Sequence, residues 1–268
     1  MKKFKLLFAI ILALLNCNAS NTDSSTSKNE FSISNTLKTR DVYVGTYDNQ
    51  RANVLLNTEL KYWFKFGLFF SVATDLIIAG KKGSSLSDIG FTAGYDQYFL
   101  KDDVLNIMAS YSYYWQNSPS NAKVIQRIRN LQNHDLNFYA YLENDILNTS
   151  LNFELLSGTI TDIIITPEIS HSIYLIDRED QDALYIQPFI STNIGTANNL
   201  LVYGNNGISP NDYFSFLNME LGLRINYEIA FFEIEPFFSY SHALRDFNST
   251  FIKNKDIIWG GGMIKFTF

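Results

Sequence analysis

The sequence predicts an all-β fold: one transmembrane, up-and-down antiparallel β-barrel of twelve strands, with ten or fourteen as the neighbouring counts. Three observations predict it. Apolar and polar residues alternate with a period of two through most of the chain after residue 40, the pattern of a strand with two unlike faces. The connections between these segments alternate short and long. Beyond the amino-terminal segment, no apolar run approaches the ~20 residues that a spanning helix needs, although 46% of the 268 residues are hydrophobic and 15% are aromatic.

The chain opens on Met1-Lys2-Lys3-Phe4-Lys5, followed by an apolar run from Leu6 to Leu15 and then Asn16-Cys17-Asn18-Ala19. A basic start, a short apolar middle and small residues at the cut describe a secretory signal peptide. Residues 1–19 are therefore set apart from the fold. Cleavage after Ala19 is one reading. Cleavage before Cys17 is the other, because Leu14-Leu15-Asn16-Cys17 resembles a loose lipobox, and Cys17 would then carry lipid. Cys17 is the only cysteine, so the mature domain has neither a disulfide nor a cysteine-based metal site. Residues 20–39, rich in Ser, Thr and Asn, read as a flexible polar leader, and residues 40–268 read as the barrel. Removing residues 1–19 removes three lysines and no acid, which leaves 18 basic residues against 27 acidic ones, a formal −9. Phosphate recognition needs a basic face, so nucleic acid is excluded as a partner.

The alternation is clearest in three places. From Leu105 to Trp115 the apolar face is Leu105, Ile107, Ala109, Tyr111, Tyr113 and Trp115, and the polar face includes Asn106, Ser110 and Ser112. Leu217, Met219, Leu221, Leu223, Ile225 and Tyr227 alternate with Asn218, Glu220, Gly222, Arg224 and Asn226. Leu147 to Leu155 repeats the pattern. Twelve segments result, near 41–48, 52–62, 67–79, 87–98, 104–116, 135–143, 146–156, 163–174, 183–196, 213–227, 230–242 and 257–268. Most have the length of a strand crossing a bilayer at a tilt of ~45°. Short connections fall near 63–66, 99–103, 144–145, 175–182 and 228–229. Longer ones fall near 80–86, 117–134, 157–162, 197–212 and 243–256. Short turns on one side and long loops on the other are the asymmetry of outer-membrane barrels. The first loop, near 49–51, is the exception. Val124, Ile128 and Leu131 stand at helical spacing inside the longest loop. Pro167, Pro188 and Pro236 share a Pro-x-apolar-Ser context; a mid-strand proline removes a ladder hydrogen bond, so each predicts a local opening that curves the wall.

The last strand, Ile257 to Phe268, ends with Ile264, Phe266 and Phe268 alternating with Met263, Lys265 and Thr267. This resembles the carboxyl-terminal signature of bacterial outer-membrane β-barrel proteins, and the twelve-segment pattern extends the likeness to uncharacterised, porin-like barrels of about this size. The resemblance implies export to the outer membrane, contact with membrane lipid and lipopolysaccharide, and reading of the strand that ends at Phe268 by the barrel-insertion machinery. It leaves the oligomeric state open and implies no activity.

If the apolar face meets lipid, the polar face points into the lumen. That assigns Asp75, Asp96, Glu143, Glu154, Glu168, Glu220, Glu233 and Glu235 to the interior, with Arg224 and Lys265, and Lys61 beside them, as counter-charges. A two-residue turn at 228–229 would set Arg224 opposite Glu233. An acidic bore favours cations; the alternative is a polar plug of satisfied side chains. Lys81, Lys82, Lys123, Arg127 and Arg129 fall in outer loops, where they would face lipopolysaccharide phosphates or simply water. The aromatics Tyr111, Tyr113, Trp115, Tyr227 and Tyr240 read as interfacial girdle residues, with sugar-stacking platforms as the sharper alternative. The three histidines, His134, His171 and His242, have no Ser two positions away, the spacing that would let both share a face and a proton. No catalytic residue, metal ligand set or cofactor is expected. The leading functional expectation is a small porin-like channel for passive diffusion with a mild cation preference. A non-transporting surface barrel that binds a partner through its loops is the second reading, and a lipid hydrolase is the third.

Overall fold

The computed structural model describes residues 29–39, 42–43, 46–47, 54–79, 85–100, 104–116, 132–144, 146–158, 161–178, 182–196, 214–244 and 255–268. Twelve strands form the barrel: β1 (Glu30–Lys38), β2 (Val54–Trp63), β3 (Leu68–Ala79), β4 (Ser85–Phe99), β5 (Leu105–Gln116), β6 (Gln132–Leu142), β7 (Asn148–Gly158), β8 (in two segments, Asp162–Ser170 and Ile173–Arg178), β9 (Asp182–Gly195), β10 (Ser215–Ile229), β11 (Phe232–Ala243) and β12 (Asp256–Thr267). Each pairs antiparallel with its neighbours in sequence, and β12 pairs with β1, so the sheet has no free edge. Closure leaves no strand without a partner on either side, the condition for a sheet to survive in hydrocarbon. Phe268 adds two backbone bonds to that seam, one in each direction with Phe31, at 3.0 and 2.8 Å.

Burial is inverted relative to a soluble domain. Phe70, Phe91, Trp115, Phe238 and Ile258 are each about half exposed, while Ser32, Ser71, Asn218, Ser239 and Ser241 are buried. An apolar surface this extensive marks a membrane-facing wall. The strands achieve it by alternation alone, because successive side chains point to opposite faces. Leu55, Ile164, Leu217, Ala243 and Ile257 are the main buried apolar side chains besides Phe69 and Phe189. All five lie at strand ends beside the connections 39–53, 159–161, 196–214 and 244–255.

Four inward-facing aromatic rings lie over glycines directly opposite them in the ladder: Phe69 over Gly94, Tyr114 over Gly90, Phe189 over Gly222 and Phe237 over Gly261. A Cβ at any of these glycines would press into the ring. The missing side chain thus lets each ring lie against the wall instead of projecting into the bore.

The structure revises the reading of the first strand. The barrel begins at Glu30 inside the expected leader of residues 20–39; β1 alternates Phe31, Ile33 and Leu37 with Ser32, Ser34 and Thr36. The expected strand at 41–48 is instead two two-residue strands, Val42–Tyr43 and Thr46–Tyr47, paired with each other. The first long connection is therefore 39–53, which removes the exception in the loop pattern. The connections 80–84 and 159–161, expected to be long, are short. The helical spacing near 124–131, the signal segment and Cys17 lie outside the described residues.

The prolines open the ladder as expected. Bridges between β8 and β9 are interrupted between Ile165 and Glu168, around Pro167, and again between Ser170 and Ile173, opposite Pro188. Those between β10 and β11 are interrupted between Arg224 and Tyr227, opposite Pro236. Across the first gap the side chains bond instead: Thr166 Oγ1 donates to Asn193 Oδ1 (2.6 Å), Asn193 Nδ2 to Asn218 Oδ1 (2.7 Å) and Asn218 Nδ2 to Ser241 Oγ (3.0 Å). This belt crosses β8 to β11 inside the barrel. A bulge moves one side chain: Asn193 pairs with Asn218 and Ile194 with Phe216, so Leu217 is the extra residue. It is fully buried, next to an exposed Phe216, so it leaves the lipid face that strict alternation gives it. Bulges are known to re-aim side chains in this way.

Candidate functional site: the charged lumen

The polar face of the strands places Asp75, Asp96, Glu154, Glu168, Glu220, Arg224, Glu233, Glu235 and Lys265 inside, in phase with the buried residues of their own strands. Glu143 departs from the expectation. β6 ends at Leu142, and Glu143 is exposed beyond it, with its N–H bonded to the Val104 carbonyl (2.8 Å). The strand runs out one residue too early to carry that side chain into the bore. Lys81, Lys82, Lys123, Arg127 and Arg129 lie outside the described residues.

Arg224 on β10 reaches across β9 to Glu168 on β8 in a two-pronged contact, Nη1···Oε1 2.7 Å and Nη2···Oε2 2.8 Å. The guanidinium lies over the Phe189 ring at 4.1 Å. The planar fork matches a carboxylate in this way and stacks on an aromatic face, which a lysine does not. Glu233 is not the partner of Arg224. The hairpin turn is Ala230–Phe231, two residues later than expected, with Ala230 at φ 45°. Arg224 therefore faces Phe237, and Glu233 faces Glu228 and is bridged by Lys265 Nζ from β12 at 3.0 Å. Lys61 sits over two rings, 4.1 Å from Trp63 and 4.0 Å from Phe69.

Three acids are held by asparagine amides. Asn57 donates to Asp75 (2.8 Å) and Asn106 donates to Asp96 (2.7 Å). Glu154 Oε1 accepts from Asn152 (2.9 Å) and Asn137 (3.5 Å). Sequence reasoning missed further inward acids, among them Glu59, Asp88, Asp135 and Asp162. Strand parity was the available signal, since Glu59 is in phase with Lys61, and Asp135 with the Glu143 that was chosen instead. Among the described inward positions, carboxylates thus outnumber Lys38, Lys61, Arg224 and Lys265 by a wide margin.

LpxR from Salmonella typhimurium superposes with a TM-score of 0.51 at 10% identity, covering 88% of this chain and 100% of that one. A KdgM porin gives a TM-score of 0.49 at 10% identity over 89% and 99%. The COG4313 outer membrane channel from Pseudomonas putida F1 gives 0.47 at 10% identity over 92% and 100%. The chain resembles these proteins in its β-barrel fold. At these identities the likeness concerns the fold alone. No family model and no curated protein matches the sequence.

The histidines sit on the outward register, His134 and His242 near strand ends and His171 in the break between the two segments of β8. His134 Nδ1 is 2.6 Å from the Tyr111 hydroxyl. His242 Nδ1 is 2.8 Å from Asp256 Oδ1, which also accepts from the Tyr240 hydroxyl. Tyr111, Tyr113 and Trp115 are exposed on the same outer face, where a girdle residue stands.

Proposed function

We propose that the barrel is a passive channel for small solutes in the outer membrane, with a mild preference for cations. The observation that carries this reading is the inward face: between rings such as Phe69, Phe189 and Phe237 it is mostly polar, and its carboxylates exceed its basic groups. A bore lined by one sign of charge concentrates counter-ions and repels co-ions. The pairing of Arg224 with Glu168, and of Lys265 with Glu233, supports the same sign, because each pair cancels one charge of each sign and leaves acids such as Asp96, Glu154, Glu220 and Glu235 to set the field. Rings laid over glycines favour an open bore over a plug. The partners on this reading are membrane lipid, lipopolysaccharide at the outer rim through loop residues such as Lys81, Lys82, Lys123, Arg127 and Arg129, and the insertion machinery that reads the strand ending at Phe268. A hydrolase reading needs a nucleophile beside a histidine. Among the described residues the partners of His134 and His242 are a tyrosine and an aspartate, so the proposal is a channel and not an enzyme.

The test is conductance of the purified, folded barrel in a planar bilayer under a potassium chloride gradient. Steps of conductance with a reversal potential on the cation side are expected. A folded barrel that never conducts overturns the channel, and an anion-side reversal potential overturns the cation preference.

A further inference from the structure

Not all inward rings are laid over glycines. Six tyrosines of the described strands occupy inward register positions. One of them, Tyr114, lies over Gly90. The other five, Tyr98, Tyr139, Tyr141, Tyr174 and Tyr185, all stand toward one mouth of the barrel, where β1 begins and β12 ends. None of these five has a glycine opposite it in the ladder. Tyr98 and Tyr141 face Asn106 from either side, Tyr139 faces Met108 and Asn152, and Tyr185 faces Tyr174 and Asn226. With a side chain opposite, such a ring has no bare wall to lie on, so it projects toward the bore. Tyr174 is 52% exposed and Tyr98 36%. The rings gather in pairs, Tyr139 with Tyr141 at 6.5 Å between centroids and Tyr174 with Tyr185 at 5.2 Å.

Carboxylates share this mouth. The Tyr185 hydroxyl donates to Glu228 Oε1 at 3.0 Å, and Glu228 itself is exposed. Glu143 is exposed just beyond Tyr141. One of the chain's own cations shows what such a surface takes. At the same mouth Lys61 Nζ lies 4.1 Å from the Trp63 ring and 4.0 Å from the Phe69 ring. An aromatic face is electronegative and attracts a cation within ~6 Å of its centroid. A small inorganic cation keeps its water and responds mainly to the carboxylates. An alkylated ammonium is weakly hydrated, loses little by lying on a ring, and still carries a charge for the glutamates. We propose that this mouth selects organic cations bearing an alkylated ammonium group, with Tyr139, Tyr141, Tyr174 and Tyr185 supplying ring faces and Glu143 and Glu228 the counter-charge. The inference rests on the channel reading and deepens it by naming a class of solute. A neutral sugar also stacks on rings, but it leaves the glutamates without a role.

Calorimetric titration of the purified, folded barrel with choline chloride tests the site, with glucose and potassium chloride as parallel titrants and folding checked by heat-resistant gel mobility. Expected is saturable choline binding, none for glucose, and a fall in potassium current through planar bilayers over the same range of choline concentration. The double variant Tyr141→Leu, Tyr185→Leu should weaken choline about tenfold while leaving the potassium chloride reversal potential unmoved, because no charge changes. Tyr141→Phe with Tyr185→Phe keeps both rings and should keep the binding. A barrel that never conducts overturns the channel, whereas one that conducts potassium and binds no choline overturns only this inference. Glucose binding in place of choline overturns it in favour of a sugar platform, and so does choline binding left unchanged in the folded leucine variant. Should that variant fail to fold, Glu228→Gln binding choline as tightly as wild type overturns it instead.

Discussion

Arg224 shows how one side chain can serve the wall and the bore at once. Its guanidinium is clamped on Glu168, stacked on Phe189 and spans three strands. The pair is partly open to the lumen, with Arg224 28% and Glu168 18% exposed, so its net contribution is smaller than that of a dry pair. Replacing Arg224 with Gln should lower stability by about 1–3 kcal/mol, read as the urea midpoint of the barrel in lipid vesicles. The double variant Arg224→Gln, Glu168→Gln should recover part of that loss, because the lone carboxylate, not the missing contact, carries most of the cost. A midpoint unchanged in Arg224→Gln would show that the clamp adds nothing. The same clamp marks what sequence can and cannot give at this scale. That Arg224 and Glu168 both point inward follows from parity. That they meet does not, because the contact jumps over β9 and depends on register.

At the level of elements, the ring-over-glycine joints fix that register. A strand slipped by two residues keeps every side chain on its own face, so hydrophobic pattern alone does not choose between such registers. Phe189 over Gly222 and Phe69 over Gly94 do choose, since only one alignment puts a ring over a residue with no side chain. Gly222→Ala should cost about 1–3 kcal/mol through overpacking against the Phe189 ring, and Phe189→Leu in the same chain should relieve much of it. Equal stability of Gly222→Ala and wild type in urea would remove the joint as a source of register. The degeneracy also explains why strands and faces were readable while partners were not. The hairpin at Ala230–Phe231 lies two residues beyond the expected turn; Arg224 and Glu233 remain inward, yet they no longer face each other. The first strand was hidden for a different reason. Residues 20–38 look polar on average, and Asn35 interrupts the apolar phase of β1. In the structure Thr58 donates to Asn35 at 2.8 Å, so a polar pair satisfies itself where an apolar side chain was expected.

For the whole molecule, closure is the decisive property, and β1 controls it. This strand pairs with β2 along one side and with β12 along the other. Removing it would leave two edges of unpaired N–H and C=O groups facing hydrocarbon, where each unsatisfied group costs several kcal/mol. Strands β2 and β12 would have to approach each other directly, which demands a smaller barrel with every inward ring and ion pair repacked. Deleting residues 30–38 should therefore abolish the compact, heat-resistant form seen on gels, even though those residues contribute none of the lumen acids proposed to set selectivity. The substitution Ile33→Asp probes the same seam more gently. It keeps the backbone of β1 but sets a charge on the lipid face, at a cost on the order of 2 kcal/mol or more near mid-membrane. It should lower the unfolding midpoint while leaving the reversal potential of any conducting barrel unchanged, because the lumen face is untouched. A shifted reversal potential in that variant would mean that closure and selectivity are coupled through the wall, which the assignment of Ile33 to the outward face does not allow.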